Sequence, residues 1–160
     1  MNKAKPFLIF FLLSTSTIVS AAIIHVPADQ PTIQAGIDAA VNGDTVLVAD
    51  GTYTGMGNKD LDFWGKAITV KSENGPDNCV IDCENNGRGF AFHMDEDENS
   101  IVDGFTIING HTLGSGGGIL CLVSSSPTII NNIISGCWAY DGGGGICSLS
   151  SSPIIDVLPI

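Results

Sequence analysis

One stretch of the chain occurs twice and restricts the fold more than any other feature. The first copy, GGGILCLVSSSP, covers 116–127, and the second, GGGICSLSSSP, covers 143–153, so the second copy is shorter by a single position between its GGGI and SSSP units. Such a repeat is typical of a solenoid, in which each unit buries its apolar face against the next. Because glycine and serine are poor helix formers, we expect short strands joined by tight corners.

Short apolar segments before the repeat support the same interpretation. They alternate inward and outward positions and are separated by glycine and asparagine turns; they are Leu61–Phe63, Ile68–Val70, Val80–Asp82, Phe90–Phe92 and Ile101–Asp103. Phe105 and Ile107 precede Asn132 and Ile134 by the same interval that separates the two GGGI units. We expect these positions to stack along the interior of about four coils, ~4.8 Å apart. Asn131 and Asn132 are candidates for an asparagine ladder at a corner.

Residues 1–22 have the order of a secretory signal peptide. Lys3 and Lys5 precede an apolar run from Phe7 to Val19, and the small residues Ser20–Ala22 follow. The apolar run is shorter than the roughly 20 residues that span a bilayer comfortably. We therefore expect cleavage after Ala21 or Ala22, a secreted or outer-surface location and no transmembrane segment in the mature chain. The alternative is an uncleaved membrane anchor.

Residues 23–50 predict an N-terminal cap of one strand, a short helix and a second strand. Thr32 is placed to cap a helix that carries Ile33, Ile37 and Ala40 on one stripe. Such an amphipathic helix would cover the open, apolar first coil of a solenoid. Residues 51–160 are then the coils themselves.

The chain resembles a known fold family. The run from His25 to Tyr53, with PTIQAGIDAAVNGDTVLVADGTY, resembles the N-terminal entry of right-handed parallel β-helix proteins of the pectin-lyase-like superfamily. The segments 66–73 and 103–107 resemble coils of that group, and the GGGI and SSSP units resemble its later repeats and, more loosely, the GGA(I/L) repeats of bacterial polymorphic outer-membrane proteins. The resemblance implies an all-β, right-handed parallel β-helix with a short N-terminal capping helix.

Related proteins usually run on for several more coils. We therefore expect the coils of 51–160 to be incomplete, as in a truncated product or a fragment. The alternative is that the last apolar coil is an open edge through which the protein self-associates.

Acidic residues outnumber basic ones 17 to 6, which argues against nucleic acid as a partner.

The most acidic segment contains Asp95, Glu96, Asp97 and Glu98. It is either a solvated loop between two coils or a calcium site, because clustered carboxylates supply the oxygen ligands that calcium takes. No transition-metal site is expected, since no CxxC occurs and the three histidines are scattered.

The five cysteines leave two interpretations open. In an exported chain an odd number favours disulfide pairing with one thiol left over, and Cys79 with Cys83 are the candidates for a disulfide. Cys121 and Cys147 occupy nearly equivalent repeat positions and are expected to stack on neighbouring coils. The alternative is that buried thiols act as small apolar side chains.

Catalysis finds little support in the sequence. General acid–base chemistry needs two titratable groups at one bond, and the best candidate pairs are Asp82 with Arg88 and His93 with Asp95. We therefore expect a structural, adhesive or glycan-binding module without its own catalysis, with a polysaccharide or another surface protein as partner. The alternative, implied by the superfamily, is a polysaccharide lyase or glycoside hydrolase. The candidates for stacking on sugar rings are Trp64, Trp138 and Tyr140.

Overall fold

The computed structural model describes residues 20–159 and shows an all-β parallel solenoid of about four turns with one short helix. In chain order the elements are β1 (Ile23–Val26), α1 (Ile33–Ala39), β2 (Thr45–Val48), β3 (Gly51–Tyr53), β4 (Leu61–Asp62), β5 (Thr69–Ser72), β6 (Cys79–Asp82), β7 (Phe90–Phe92), β8 (Ile101–Asp103), β9 (Thr106–Ile108), β10 (His111–Thr112), β11 (Ile119–Leu122), β12 (Thr128–Ser135), β13 (Trp138–Ala139), β14 (Ile146–Leu149) and β15 (Ile154–Val157). The predicted fold class is thus confirmed. The predicted signal peptide lies outside the described residues except for 20–22.

The strands stack into three parallel sheets that run along the solenoid. Sheet A has the order β1-β2-β5-β8-β12-β15, sheet B the order β3-β6-β9-β12, and sheet C the order β4-β7-β11-β14, while β10 pairs with β13 at the corner between B and C. The long strand β12 belongs to two sheets, because its first half pairs with β8 and its second half with β9. Each coil thus contributes one strand, or half of β12, to each sheet.

The core is built from rows of equivalent side chains in successive coils. Sheet A stacks Val46, Val70, Val102 and Ile129, sheet B stacks Ile81, Ile107 and Ile134, and sheet C stacks Leu61, Phe90, Ile119 and Ile146. A cluster of four buried phenylalanines fills the space between the sheets, with ring centroids 4.9–6.4 Å apart: Phe63, Phe90, Phe92 and Phe105. The predicted stacking of Ile107 on Ile134 is confirmed.

The predicted capping helix is also confirmed. The hydroxyl oxygen of Thr32 accepts a hydrogen bond from the amide of Ala35 at 3.2 Å, which satisfies one of the free N–H groups at the start of α1. Ile33 and Ile37 are fully buried against the first coil. Gly36 faces Val46 so closely that an added Cβ would lie 2.7 Å from its Cγ1 atom. The helix therefore closes the apolar end of the solenoid.

One buried asparagine takes the place of the predicted asparagine ladder. The side-chain oxygen of Asn132 accepts from the amide of Phe105 at 2.8 Å, and its nitrogen donates to the carbonyl oxygens of Val102 at 3.0 Å and Ile130 at 2.8 Å. In the next strand its register partner is Val157, and Asn131 is exposed. The ladder prediction is therefore wrong, because the coils differ at this corner. Asn132 thus satisfies the amide of Phe105 and the carbonyl of Val102, and it gives the carbonyl of Ile130 a second donor beside the amide of Gly104.

The repeated glycines allow neighbouring coils to approach closely. A Cβ on Gly118 would lie 2.5 Å from the carbonyl oxygen of Gly145 and 2.7 Å from Cγ2 of Ile134. The amide of Gly118 also donates to the carbonyl oxygens of Gly144 and Gly145, both at 2.9 Å. Gly114, outside the repeat, would place a Cβ only against Thr112, at 3.9 Å. The repeat thus keeps glycine where a side chain would separate the coils.

Cys121 is the second residue after its GGGI unit and Cys147 is the first, and this difference decides where the two side chains point. The two copies stay in register from Ile119 on Ile146 to Leu122 on Leu149, so the shortening is absorbed in the corner that follows. Cys147 consequently pairs with Leu120 and lies on the opposite face of sheet C from Cys121, because side chains alternate along a strand. The prediction that these two thiols stack is wrong.

All five cysteines are free thiols. Cys79 is the first residue of β6 and Cys83 follows its last residue; both are buried, and four residues of extended chain span ~13 Å. A disulfide needs Cα atoms within roughly 7 Å, so the candidate pairing of Cys79 with Cys83 is not formed. Burial raises the pKa of Cys79, Cys83 and Cys121 to about 12 each. These three thiols act as small core side chains. The alternative interpretation, made for Cys121 and Cys147, therefore holds for Cys121, whereas Cys147 is half-buried.

Strand β15 has a different environment from the strands before it. It pairs with β12, yet its apolar side chains are exposed, including Ile154, Ile155 and Val157. Self-association through this surface stays a prediction.

Among the described residues, no helix combines the length and the apolar character needed to cross a membrane.

Candidate functional site

A cavity of about 600 Å³ lies on the outer side of the first coil. Its lining comes from three parts of the chain: Gln34 of α1; Met56, Lys59, Asp60, Asp62 and Trp64 around β4; and Asn86 of the second coil. The alternation along β4 explains this arrangement. Leu61 and Phe63 are fully buried in the core, so the residues between and beside them face the cavity.

Trp64 gives the cavity an aromatic surface. It lies directly after β4 with a φ of 55°, a left-handed conformation at the corner, and its side chain remains 51 % exposed. Its amide donates to the carboxylate of Asp62 at 2.8 Å, which fixes the backbone at this corner. The indole is therefore presented on a rigid support.

Asp62 is the most firmly held polar group of the cavity. One carboxylate oxygen accepts from the amide of Trp64, and the other lies 2.8 Å from Nε2 of His93 in the next coil. Gln34 binds the backbone of Asp62 twice, since its side-chain oxygen accepts from the Asp62 amide at 2.9 Å and its nitrogen donates to the Asp62 carbonyl at 3.0 Å. The predicted partner of His93 was Asp95, and the structure places Asp62 there instead.

Asp60 lies at the same cavity in a more open position, with its side chain 57 % exposed. Its Oδ1 atom accepts from the amide of Arg88 at 3.0 Å, and Nε of Arg88 lies 4.0 Å from the same oxygen. The guanidinium donates to the hydroxyl of Thr112 at 3.1 Å. The predicted partner of Arg88 was Asp82, whose carboxylate instead accepts from the side chain of Asn109 at 2.9 Å.

Glu96 is turned inward from the acidic segment. It is 1 % exposed, and its carboxylate accepts from the amides of Gly65 at 3.0 Å and Met94 at 2.9 Å and from the hydroxyl of Ser125 at 2.8 Å. Burial is the largest single influence on the pKa of Glu96 and raises it, but the hydrogen bonds together outweigh burial, so the pKa lies below its usual value. Glu96 joins three successive coils through these contacts.

The other three acids of this segment, Asp95, Asp97 and Glu98, are exposed. Within the described part of the chain, no group of three or more His, Cys, Asp or Glu side chains is arranged to hold a metal ion. With the Glu96 carboxylate occupied by protein donors, a calcium site here would depend on the three exposed carboxylates. That site stays a prediction.

Trp138 and Tyr140 lie together on a second surface. They are 47 % and 74 % exposed, and their ring centroids are 6.3 Å apart. The ring of His111 stands edge-on to Trp138 at 4.6 Å, because β10 and β13 place these residues side by side. The amide of Tyr140 donates to the carbonyl of Thr112, the residue that Arg88 also contacts. This aromatic strip, His111, Trp138 and Tyr140, therefore follows the same corner of the solenoid as Arg88.

The sequence predicted Trp64 as a site residue but did not predict Gln34, Asp60 and Asp62, which line the same cavity. A signal was present, because Asp60, Asp62 and Trp64 alternate with the apolar Leu61 and Phe63, and this pattern places all three on one side of a strand. Gln34 carries no such signal, since its position depends on how α1 lies on the first coil.

The described residues thus define a parallel β-solenoid with one helix-capped end and a polar, aromatic cavity beside that cap. No protein-family model, no curated protein and no solved structure matches this chain. The resemblance to the pectin-lyase-like superfamily rests on the sequence motifs alone.

Proposed function

We propose that this protein is an exported β-solenoid module that binds a glycan in the cavity of the first coil and does not cleave it. The observation that supports this proposal is the exposed indole of Trp64 beside fixed polar groups in a single cavity of about 600 Å³. Sugar rings offer an apolar face for stacking and hydroxyl groups for hydrogen bonding. Small-ligand sites combine apolar area with a few fixed polar groups in the same way.

The polar groups are suited to hydroxyl recognition because they are held in place. The side-chain nitrogen of Gln34 donates to Asp38 and Asp62 and its oxygen accepts from Asp62, so the oxygen remains able to accept from a sugar hydroxyl. The Asp62 carboxylate is fixed by Trp64 and His93. Rigid partners lose little conformational entropy on binding, which increases affinity. The aromatic strip along the same corner would extend the contact to a longer glycan chain.

Cleavage is the less favoured function for the same reason. Hydrolysis of a glycosidic bond needs one carboxyl to act as general acid and a second to act as base or nucleophile. Both oxygens of Asp62 already accept hydrogen bonds within the protein, which leaves Asp60 as the accessible carboxylate of the cavity. A reducing-end assay on every glycan that binds tests this directly, and release of new reducing ends by wild type but not by an Asp60→Asn variant would establish an enzyme.

The test of binding compares two exposed tryptophans. A glycan array identifies ligands of the secreted protein, and titration calorimetry then measures Trp64→Ala and Trp138→Ala variants. We expect Trp64→Ala to weaken binding by at least about fivefold, since truncation of an aromatic anchor commonly removes more than about 1 kcal/mol. Trp138→Ala should have a smaller effect on short ligands. Equal affinity of wild type and Trp64→Ala, with both proteins folded, would contradict the proposal.

A further inference from the structure

The basic residues of the described chain are all engaged in contacts within the protein. Lys59 pairs with Glu84 at 2.9 Å, Lys71 pairs with Asp103 at 3.9 Å, and the guanidinium of Arg88 donates to the hydroxyl of Thr112 at 3.1 Å. Lys66 donates to the carbonyl oxygens of Ile37 at 2.8 Å and Asp38 at 3.0 Å. The remaining basic residues of the sequence, Lys3 and Lys5, precede the described part. An acidic glycan would therefore find no unengaged lysine or arginine between residues 20 and 159.

The cavity itself has a net acidic lining. Lys59 belongs to the lining, but its side chain is only 12 % exposed and its amine is held by Glu84 and by the carbonyl of Cys83. Asp60 is open to solvent, and its Oδ2 atom accepts no hydrogen bond within the described residues. The guanidinium of Arg88 lies at the limit of ion-pair distance and is directed to Thr112. The Oδ2 atom of Asp60 is thus open to a positive group in the cavity, while Oδ1 is shared with the amide and, at 4.0 Å, with the guanidinium of Arg88.

An exposed indole and an available carboxylate in one cavity are the two groups that recognise an ammonium ion. A cation is attracted to the face of an indole within about 6 Å, and a carboxylate adds a charged hydrogen bond. We infer that the cavity binds a glycan that carries free amino groups, such as an oligomer of glucosamine. This inference rests on the proposed function, because it names the ligand class of the same site.

The experiment compares three tetrasaccharides by titration calorimetry on the secreted protein: one of glucosamine, one of N-acetylglucosamine and one of galacturonate. Mildly acidic buffer keeps the sugar amine protonated. We expect the glucosamine oligomer to bind roughly tenfold tighter than the acetylated one, and the galacturonate oligomer to show no binding. The difference should shrink at about 1 M salt, where screening reduces the attraction between charges.

Two matched variants test whether the charge of Asp60 causes the preference for the amino sugar. Asp60→Asn keeps an oxygen for the Arg88 amide and removes the charge, so we expect it to reduce the preference for the amino sugar to about twofold or less. Asp77→Asn removes the same charge from an exposed position in the corner between sheets A and B and should leave the preference unchanged. If the Asp60→Asn variant folds poorly, the salt dependence of the wild-type protein still tests whether the preference for the amino sugar is electrostatic.

The outcomes separate this inference from the proposed function. Equal affinity for the glucosamine and N-acetylglucosamine oligomers, or tighter binding of galacturonate, would overturn the amino-sugar inference and leave glycan binding in place. A glucosamine preference that persists in Asp60→Asn and at high salt would also overturn it. Absence of binding to all three oligomers and to a wider glycan array would overturn both.

Discussion

Glu96 provides the sharpest test of how this solenoid is held together. Its buried carboxylate receives three hydrogen bonds, from Gly65, Met94 and Ser125, which lie in three successive coils. Glu96→Gln keeps the size of the side chain but replaces one acceptor oxygen by a donor nitrogen. The amide nitrogen would then face either the amide of Gly65 or the donors Met94 and Ser125, and one side loses its acceptor.

The magnitude follows from these contacts. Hydrogen bonds to a charged group contribute about 1.5–3 kcal/mol each, and a buried donor without an acceptor costs a further 1–3 kcal/mol or so. We therefore expect Glu96→Gln to lower the free energy of unfolding by roughly 2–4 kcal/mol at neutral pH. This is a large fraction of the about 5–15 kcal/mol that stabilises a typical domain.

The assay is urea denaturation at neutral pH and at several values down to about pH 3. The pKa of Glu96 lies below its ordinary value of 4.5 in the folded protein. Its charge therefore stabilises the fold above the unfolded pKa, and this contribution is lost as the pH falls through the folded pKa. The Glu96→Gln variant lacks this contribution, so its stability should fall less steeply with acid than that of the wild-type protein.

Glu98→Gln is the matched control, because it makes the same chemical change nearby in the same segment at an exposed position. We expect it to stay within about 0.5 kcal/mol of the wild-type protein. If Glu96→Gln were as stable as Glu98→Gln at neutral pH and showed the wild-type acid dependence, Glu96 would not join the coils as argued.

Three further predictions concern the coils and the thiols. Gly118→Ala should destabilise the protein by several kcal/mol or prevent folding, whereas Gly114→Ala should be tolerated, as measured by urea denaturation; equal stability of the two variants would contradict the close-packing argument. Asn132→Ala should lower the free energy of unfolding by about 2–4 kcal/mol, since it leaves buried backbone groups unpaired, and a loss below about 0.5 kcal/mol would show that water replaces the side chain. A thiol reagent at about pH 8 should modify five thiols in urea without reductant. In the native protein it should not modify the three buried thiols Cys79, Cys83 and Cys121, and early reaction of any of them would refute their burial.

The sequence predicted much of the fold because the signals involved are local. Alternation of apolar residues marks short strands, and Thr32 with Ile33 and Ile37 marks the capping helix, so these elements are found close to where they were expected. The interval between Ile107 and Ile134, which equals that between the two GGGI units, also gave the correct stacking, because both residues lie in coils of similar length.

The candidate site was predicted only in part, because the coils differ in length. Along sheet A, the register partners at the start of successive strands are unevenly spaced in the chain: Thr45, Thr69, Ile101, Thr128 and Ile154. The partner of a side chain in the next coil therefore cannot be read from one repeat length. This is why His93 was assigned to Asp95 when it binds Asp62 in the preceding coil. Cys147 was placed over Cys121 for another reason, because the two cysteines differ by one position when the repeats are aligned at GGGI.

The sequence by itself determined that the chain winds as a β-solenoid with a helical cap, since residue alternation and repeated glycines depend only on neighbours along the chain. Only the tertiary structure decided that Glu96 is buried while Asp60 is open, and that Gln34, Asp62 and Trp64 share one cavity. The physical reason is that the environment of a carboxylate depends on which donors the adjacent coils bring to it. Those donors are distant in the chain and become neighbours only when the coils stack.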